Sequence, residues 1–176
     1  MKVLFGVDVG GTDIKLGAFD WKSQKLLKKW AIKTDLSNEG KQIIPDVAKE
    51  IQSYLCENTL SEADVYGIGI GIPGPVDKDG NVEVCVNLFW NNFNPAEEMR
   101  KFFPHAYIQA GNDANVAALG EFVQGAGRKY KTMMLITLGT GVGGGIILNG
   151  DIVLGASGLA GEIGHIAVGS KDSGNC

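Results

Sequence analysis

Apolar and polar positions change period several times along the chain, and each change marks an element. Val3–Val9 is mostly apolar with weak alternation, the pattern of a buried strand. Gly10-Gly11-Thr12 reads as a turn. Ile14–Phe19 reads as a second strand, with Ile14, Leu16 and Ala18 alternating with Lys15 and Gly17, and Leu26–Thr34 as a third. From about Gly40 to Asn58 the spacing shifts to three and four. Ile44, Val47, Ile51 and Leu55 form the stripe of an amphipathic helix, with Pro45 tolerated in its first turn. Val65–Ile72 is a strong strand and Val82–Val86 a short one. Asn94-Pro95-Ala96-Glu97 has the cap, first-turn proline and acidic third residue of a helix start. Ala106–Gln109 reads as a strand, and Asn112-Asp113 opens a helix to about Gln124 with Val116, Leu119 and Val123 on one face. Met133–Leu138 reads as a buried strand, Gly139–Gly145 as a glycine turn and Ile146–Leu148 as a returning strand. Strands and helices alternate, so the fold class is α/β.

Two stretches share a plan. Leu4–Phe19 and Met134–Asn149 each run apolar strand, glycine turn, apolar strand. This points to a duplicated architecture, with a first lobe over residues 1–107 and the beginning of a second over 108–176.

Composition sharpens the reading of the turns. Glycine accounts for 26 of 176 residues, about twice the usual share. These glycines fall inside apolar, β-branched segments, where they signal close backbone approach or positive φ. A glycine turn between strands leaves main-chain N–H groups unobstructed, so several can converge on a phosphate. Thr12 and Thr140 add hydroxyl donors, Lys15 a positive charge, and Asp8 a carboxylate suited to Mg²⁺ through water. A lone Gly-Gly-Thr is more often only a tight hairpin. Gly139-x-Gly141-x-x-Gly144 matches the dinucleotide fingerprint, but that motif opens a helix, and here Ile146-Ile147-Leu148 follows.

The net charge of −4 supplies no electrostatic reason for a nucleic-acid or membrane partner. Three cysteines, odd in number and far apart, suit a reducing compartment better than a disulfide framework. The first residues lack the apolar run of a signal peptide, because Asp8 interrupts it. These features point to the cytoplasm. Cys56 and Cys85 read as core residues and His105 as a surface residue.

Five segments, in order, resemble the ROK family (repressors, open reading frames, kinases) and its glucokinases in particular. They are Asp8-Val9-Gly10-Gly11-Thr12-x-x-Lys15, Gly71-Ile72-Pro73-Gly74-Pro75-Val76, Asn112-Asp113-Ala114-Asn115, Leu138-Gly139-Thr140-Gly141-Val142-Gly143-Gly144-Gly145 and Glu162-Ile163-Gly164-His165. The resemblance implies an actin-like, ribonuclease H-like fold, with ATP, Mg²⁺ and a hexose bound in a cleft. It implies Asp113 as the base that activates a sugar hydroxyl, where the residues alone suggest a helix cap. It implies sugar contacts from Asn112, Glu162, His165 and Asn87. It further implies phosphate contacts from Gly10, Gly11, Thr12, Lys15, Gly139, Thr140, Gly141 and Gly143.

His165 is also a zinc ligand in this family, whose pattern runs on into a cysteine-rich loop. Cys176 stands where its first cysteine belongs. Two ligands fall short of the four of a structural site. The expectation is a fragment with little or no zinc and no turnover by itself, from a kinase that is a homodimer or homotetramer when complete. Glucose is the first expected substrate. Fructose, mannose or an N-acetylated amino sugar is the alternative, and polyphosphate is the alternative donor to ATP. A sugar-sensing repressor would carry a helix-turn-helix domain ahead of the first phosphate motif, which here begins within the first ten residues.

Overall fold

The computed structural model describes residues 1–139, 141–156 and 158–166. The chain divides into two compact units, Met1–Gly111 and Asn112–Cys176. The division falls after Gly111 rather than after residue 107, because the strand there belongs to the first sheet.

In the first unit, β1 (Val3–Val9) and β2 (Asp13–Asp20) form an antiparallel hairpin, and β3 (Leu26–Lys33) continues it. The helix α1 (Ile43–Glu57) then returns the chain to β4 (Val65–Ile72), which lies parallel to β1. A small hairpin follows, β5 (Val82–Cys85) with β6 (Trp90–Phe93). After α2 (Pro95–Arg100), β7 (Tyr107–Asn112) completes a five-stranded sheet of order β3-β2-β1-β4-β7. The strand pleat sends Val3, Phe5, Val7 and Val9 to one face, where they meet Ile14, Leu16 and Ala18 of β2 and Ile68, Ile70 and Ile72 of β4. The α1 stripe of Ile44, Val47, Ile51 and Leu55 joins the same core, as its spacing predicts. Pro45 is the third residue of α1, so its missing N–H costs no helical hydrogen bond. Asn94 caps α2, its side chain accepting from the Glu97 N–H at 2.9 Å.

In the second unit, α3 (Asp113–Val123) precedes β8 (Met133–Leu138), β9 (Val142–Leu148) and the two-residue β10 (Asp151–Ile152). The sheet order β10-β9-β8 matches the β3-β2-β1 arrangement of the first unit, the repeat expected from the sequence. One expectation about burial fails here. β8 alternates instead of being buried, leaving Met134, Ile136 and Leu138 exposed. The α3 stripe of Val116, Leu119 and Val123 is also exposed, and the helix turns Ala114, Asn115 and Ala118 inward instead. Small residues face the sheet because β9 approaches too closely for branched ones. A Cβ on Gly145 would stand 2.5 Å from the Ala118 Cβ and 2.9 Å from the Ala114 carbonyl oxygen.

Cys85 is buried, as expected, whereas Cys56 lies on the exposed side of α1. His105 is exposed. No helix among the described residues is long and apolar enough to cross a membrane.

Candidate active site

The first glycine turn follows from the β1–β2 register. Asp8 and Lys15 are cross-strand partners. Both point to the exposed face, where Lys15 Nζ lies 3.2 Å from Asp8 Oδ2. The lysine and the acid thus reach the same side of the turn, as strand alternation requires. Gly10 N–H donates to the Asp13 carbonyl at 3.1 Å, and a Cβ on Gly10 would stand 2.8 Å from that oxygen. Only glycine fits. A residue that the sequence did not flag braces the turn: Thr34 Oγ1 donates to the Gly10 carbonyl at 2.6 Å, and Thr34 N–H donates to the Thr12 carbonyl at 3.0 Å. Its role depends on the pairing of β3 with β2, a long-range register that no local motif encodes.

Asn87 lies beside this turn. Its carbonyl oxygen and Cβ are 3.6 and 4.0 Å from where a Gly11 Cβ would be. Asn87 sits in a short 3-10 turn, Val86–Leu88, between β5 and β6. The segment is pinned at both ends. Cys85 Sγ donates to the Pro73 carbonyl at 2.9 Å, and the buried Trp90 Nε1 donates to the Gly40 carbonyl at 3.1 Å. Gly40 has φ +66, and a side chain there would overlap the Leu88 carbonyl oxygen. The Pro-Gly-Pro segment, the first glycine turn and Asn87 are therefore neighbours within the first unit.

In the second unit the residue that caps α3 is not Asp113. The N-cap of α3 is Asn112, whose Oδ1 accepts from the Asn115 N–H at 3.0 Å and which is 7% exposed. Asp113 is the first helical residue, exposed, with Oδ1 accepting from the Ala114 N–H at 2.7 Å. The helix end supplies a favourable field for its negative charge. Asn115 is buried, and its Oδ1 has no hydrogen-bond partner among the described residues. An asparagine on a helix face otherwise made of alanines was the available signal for it.

The second glycine turn differs from its expected extent. β9 already begins at Val142, so Gly143, Gly144 and Gly145 are strand residues. A Cβ on Gly143 would stand 2.6 Å from Thr137 Oγ1 and 3.2 Å from the Ala114 Cβ. One on Gly144 would stand 2.6 Å from the Gly161 carbonyl oxygen. These glycines let α3 on one side and the Glu162–His165 turn on the other approach the β9 backbone. Gly139 and Gly141 form the open turn, with nothing within 4 Å of a Cβ at either. Thr140 between them lies outside the described residues.

Glu162 precedes a three-residue 3-10 turn, Ile163–His165, and His165 closes it, so the two side chains fall on one side, with His165 Nε2 3.9 Å from Glu162 Oε2. A Cβ on Gly164 would overlap the Val142 carbonyl oxygen, so this turn is held against β9 by direct backbone contact. No cluster of three or more His, Cys, Asp or Glu side chains that could hold a metal occurs among the described residues. Cys176, the expected companion of His165 at zinc, lies outside them.

Sugar kinases match the chain along most of its length. A glucokinase of Halalkalibacterium halodurans is 44% identical over 93% of this chain and 49% of its own length. An N-acetyl-D-glucosamine kinase of Yersinia pseudotuberculosis is 35% identical over 92% of this chain and 51% of its own. The crystal structure of a ROK family glucokinase from Streptomyces griseus in complex with glucose and AMPPNP aligns with a TM-score of 0.75 and 32% identity, covering 95% of this chain and 51% of that one. This chain thus spans about half the length of the curated relatives it matches. The shared mixed-sheet α/β fold is that of the actin-like superfamily expected from the motifs. The ROK family profile matches residues 4–176, and the chain belongs to the ROK family.

Proposed function

We propose that the complete protein phosphorylates a hexose, glucose first, from ATP, with Asp113 as general base. One observation carries this reading. Asp113 stands exposed in the first turn of α3, beside the cap Asn112, where solvent and a substrate hydroxyl can reach a carboxylate held on a rigid helix end. In the reaction, the acid takes the proton of the acceptor hydroxyl as that oxygen forms its bond to the γ-phosphorus, and ADP leaves with the bridging oxygen. Such general-base help is worth roughly 10²–10⁴ in rate.

Gly11, Thr12 and Gly141 are the proposed main-chain donors to phosphates, while Gly10 and Gly139 close the two turns, their N–H groups donating to the Asp13 and Gly141 carbonyls. Gly143, inside β9, contributes by letting α3 close on the strand. Magnesium, travelling with the nucleotide, neutralises charge on the phosphates. Asp8 is a fitting partner, since its exposed carboxylate is the hard oxygen ligand that magnesium prefers, and Lys15 holds it in place. Asn87, Asn112, Glu162 and His165 are the proposed sugar contacts. Asn112 contributes through a side chain that is largely buried and serves as the cap. The cytoplasm is the proposed site of action, with a homo-oligomer as the working assembly.

A second reading, an N-acetylated amino sugar as acceptor, is favoured by the relative from Yersinia pseudotuberculosis. The test is a phosphorylation panel with the protein expressed to its natural carboxyl terminus: ATP, a set of hexoses and N-acetylhexosamines, and ADP release as readout. Fastest release with glucose supports the first reading, and fastest release with N-acetylglucosamine the second. No release with any sugar removes both.

A further inference from the structure

Seven non-glycine residues among those described have a positive φ. Six are polar: Gln24, Asn38, Glu39, Thr59, Asn92 and Asn149. The seventh is Phe89, at φ 58 and ψ 22, in the left-handed region. Asparagine and glycine enter that region at little cost, whereas a bulky side chain is strained there. Such strain persists where the surrounding structure over-determines it, and it clusters at functional sites.

The over-determination is visible. Leu88 on one side is fully buried, and Trp90 on the other is buried with its indole N–H bonded to Gly40. Turning both inward forces the residue between them outward, and Phe89 is 60% exposed. Val86, one residue before Asn87, is 77% exposed. The tip of this hairpin therefore presents Asn87 with an apolar side chain within two residues on either side, against the first glycine turn. A small-molecule site is built in this way, from apolar and aromatic walls around a few placed polar groups. A hexose suits it, because the ring has a polar rim of hydroxyls and apolar C–H faces.

We propose that Phe89 is a substrate-positioning residue, the apolar wall on which the C–H face of the hexose rests while Asn87 engages a hydroxyl. This rests on the sugar-kinase reading above. A wall of this kind binds substrate and transition state alike, so its loss raises KM and leaves kcat in place.

The test compares Phe89→Ala, Phe89→Gly and Phe89→Tyr in the protein expressed to its natural carboxyl terminus, with kinetics for both substrates and thermal denaturation. Phe89→Ala and Phe89→Gly are expected to raise the KM for the hexose by roughly tenfold, about the worth of one aromatic contact. The KM for ATP and kcat should stay within about twofold, and Phe89→Tyr should restore hexose KM. Phe89→Gly should also melt at higher temperature than Phe89→Ala, because glycine relieves the left-handed backbone. If both small variants keep the wild-type KM for the hexose, Phe89 only turns the chain and the proposal fails. A matching rise in the KM for ATP also overturns it, by assigning the side chain to the nucleotide. A wild-type protein that phosphorylates no sugar defeats the kinase reading, and this inference with it, before any variant is compared.

Discussion

The hairpins β1–β2 and β8–β9 have one plan and two fates. The first lies within a five-stranded sheet, β4 occupying the far edge of β1, and its inward side chains merge with α1 into a continuous core. The second pairs, among the described residues, with β10 alone, and the buried apolar side chains described in its unit are Ala114, Ala118 and Ile147. Met134, Ile136 and Leu138 stand on the opposite face, with Leu138 81% exposed. Each buried methylene contributes about 0.8 kcal/mol. An alanine-and-glycine interface therefore gives close approach but little burial. The first unit gains stability from packing volume. The second uses packing to bring backbones together around Asp113 and the Glu162–His165 turn. The glycine turns differ in the same sense. Gly10 is locked by Asp13 and Thr34, whereas Gly139 and Gly141 have open space around them.

The largest effect that would test this contrast is chemical. Asp113→Asn in the protein expressed to its natural carboxyl terminus should lower kcat by roughly 10²–10⁴ and cost no more than about 1 kcal/mol of stability, the worth of one charge at a helix end, since the cap comes from Asn112. Near-normal turnover would return Asp113 to a purely structural role. Next is the close packing of β9. Gly145→Ala drives a Cβ into Ala118 and the Ala114 carbonyl, and should cost about 1–3 kcal/mol by denaturant titration. Gly141→Ala, in open space, should stay within about 0.5 kcal/mol yet raise the KM for ATP. Equal stability losses at the two positions would erase the distinction between packing glycine and binding glycine.

A smaller loss is expected from Thr34→Val, which removes the hydroxyl bonded to Gly10. About 1 kcal/mol is at stake, and the altered turn should be seen as faster amide exchange at Gly10 and Thr12. The smallest effect concerns Asp77, also in the first unit. It accepts hydrogen bonds from the side chain and backbone of Asn81 and from the Asp79 N–H, and these hold its carboxyl below the usual carboxylate range. A carboxyl group depressed in the folded state adds stability above its unfolded pKa and loses it as pH falls through the folded value. Asp77→Asn should therefore flatten the fall of melting temperature on acidification through the carboxylate range and change little at neutral pH. An unchanged acid limb would show that the turn does not depend on the charge.

Much of the first unit is legible in local patterns. Val65–Ile72 coincides with its predicted strand, and the α1 stripe packs as its spacing requires, because local periodicity and burial agree there. The Asn94 cap follows from a local hydrogen bond that sequence spacing encodes. Periodicity misleads at Val116, Leu119 and Val123, where a helix selects its small face for contact with a glycine strand. At β8 the apolar run gives an alternating pattern instead, with Met134, Ile136 and Leu138 exposed among the described residues.

The α/β alternation, the duplicated strand–turn–strand plan and the family motifs are all written in neighbouring residues, and the chain's own order of side chains was enough to reveal them. Long-range packing settled the rest: that Thr34 locks the first turn, that three of the glycines in the second glycine run are packing residues, and that Phe89 is held outward on a strained backbone. Each of these depends on which distant segment comes to lie alongside, and a contact between residues far apart in the chain leaves no period in the residues around it.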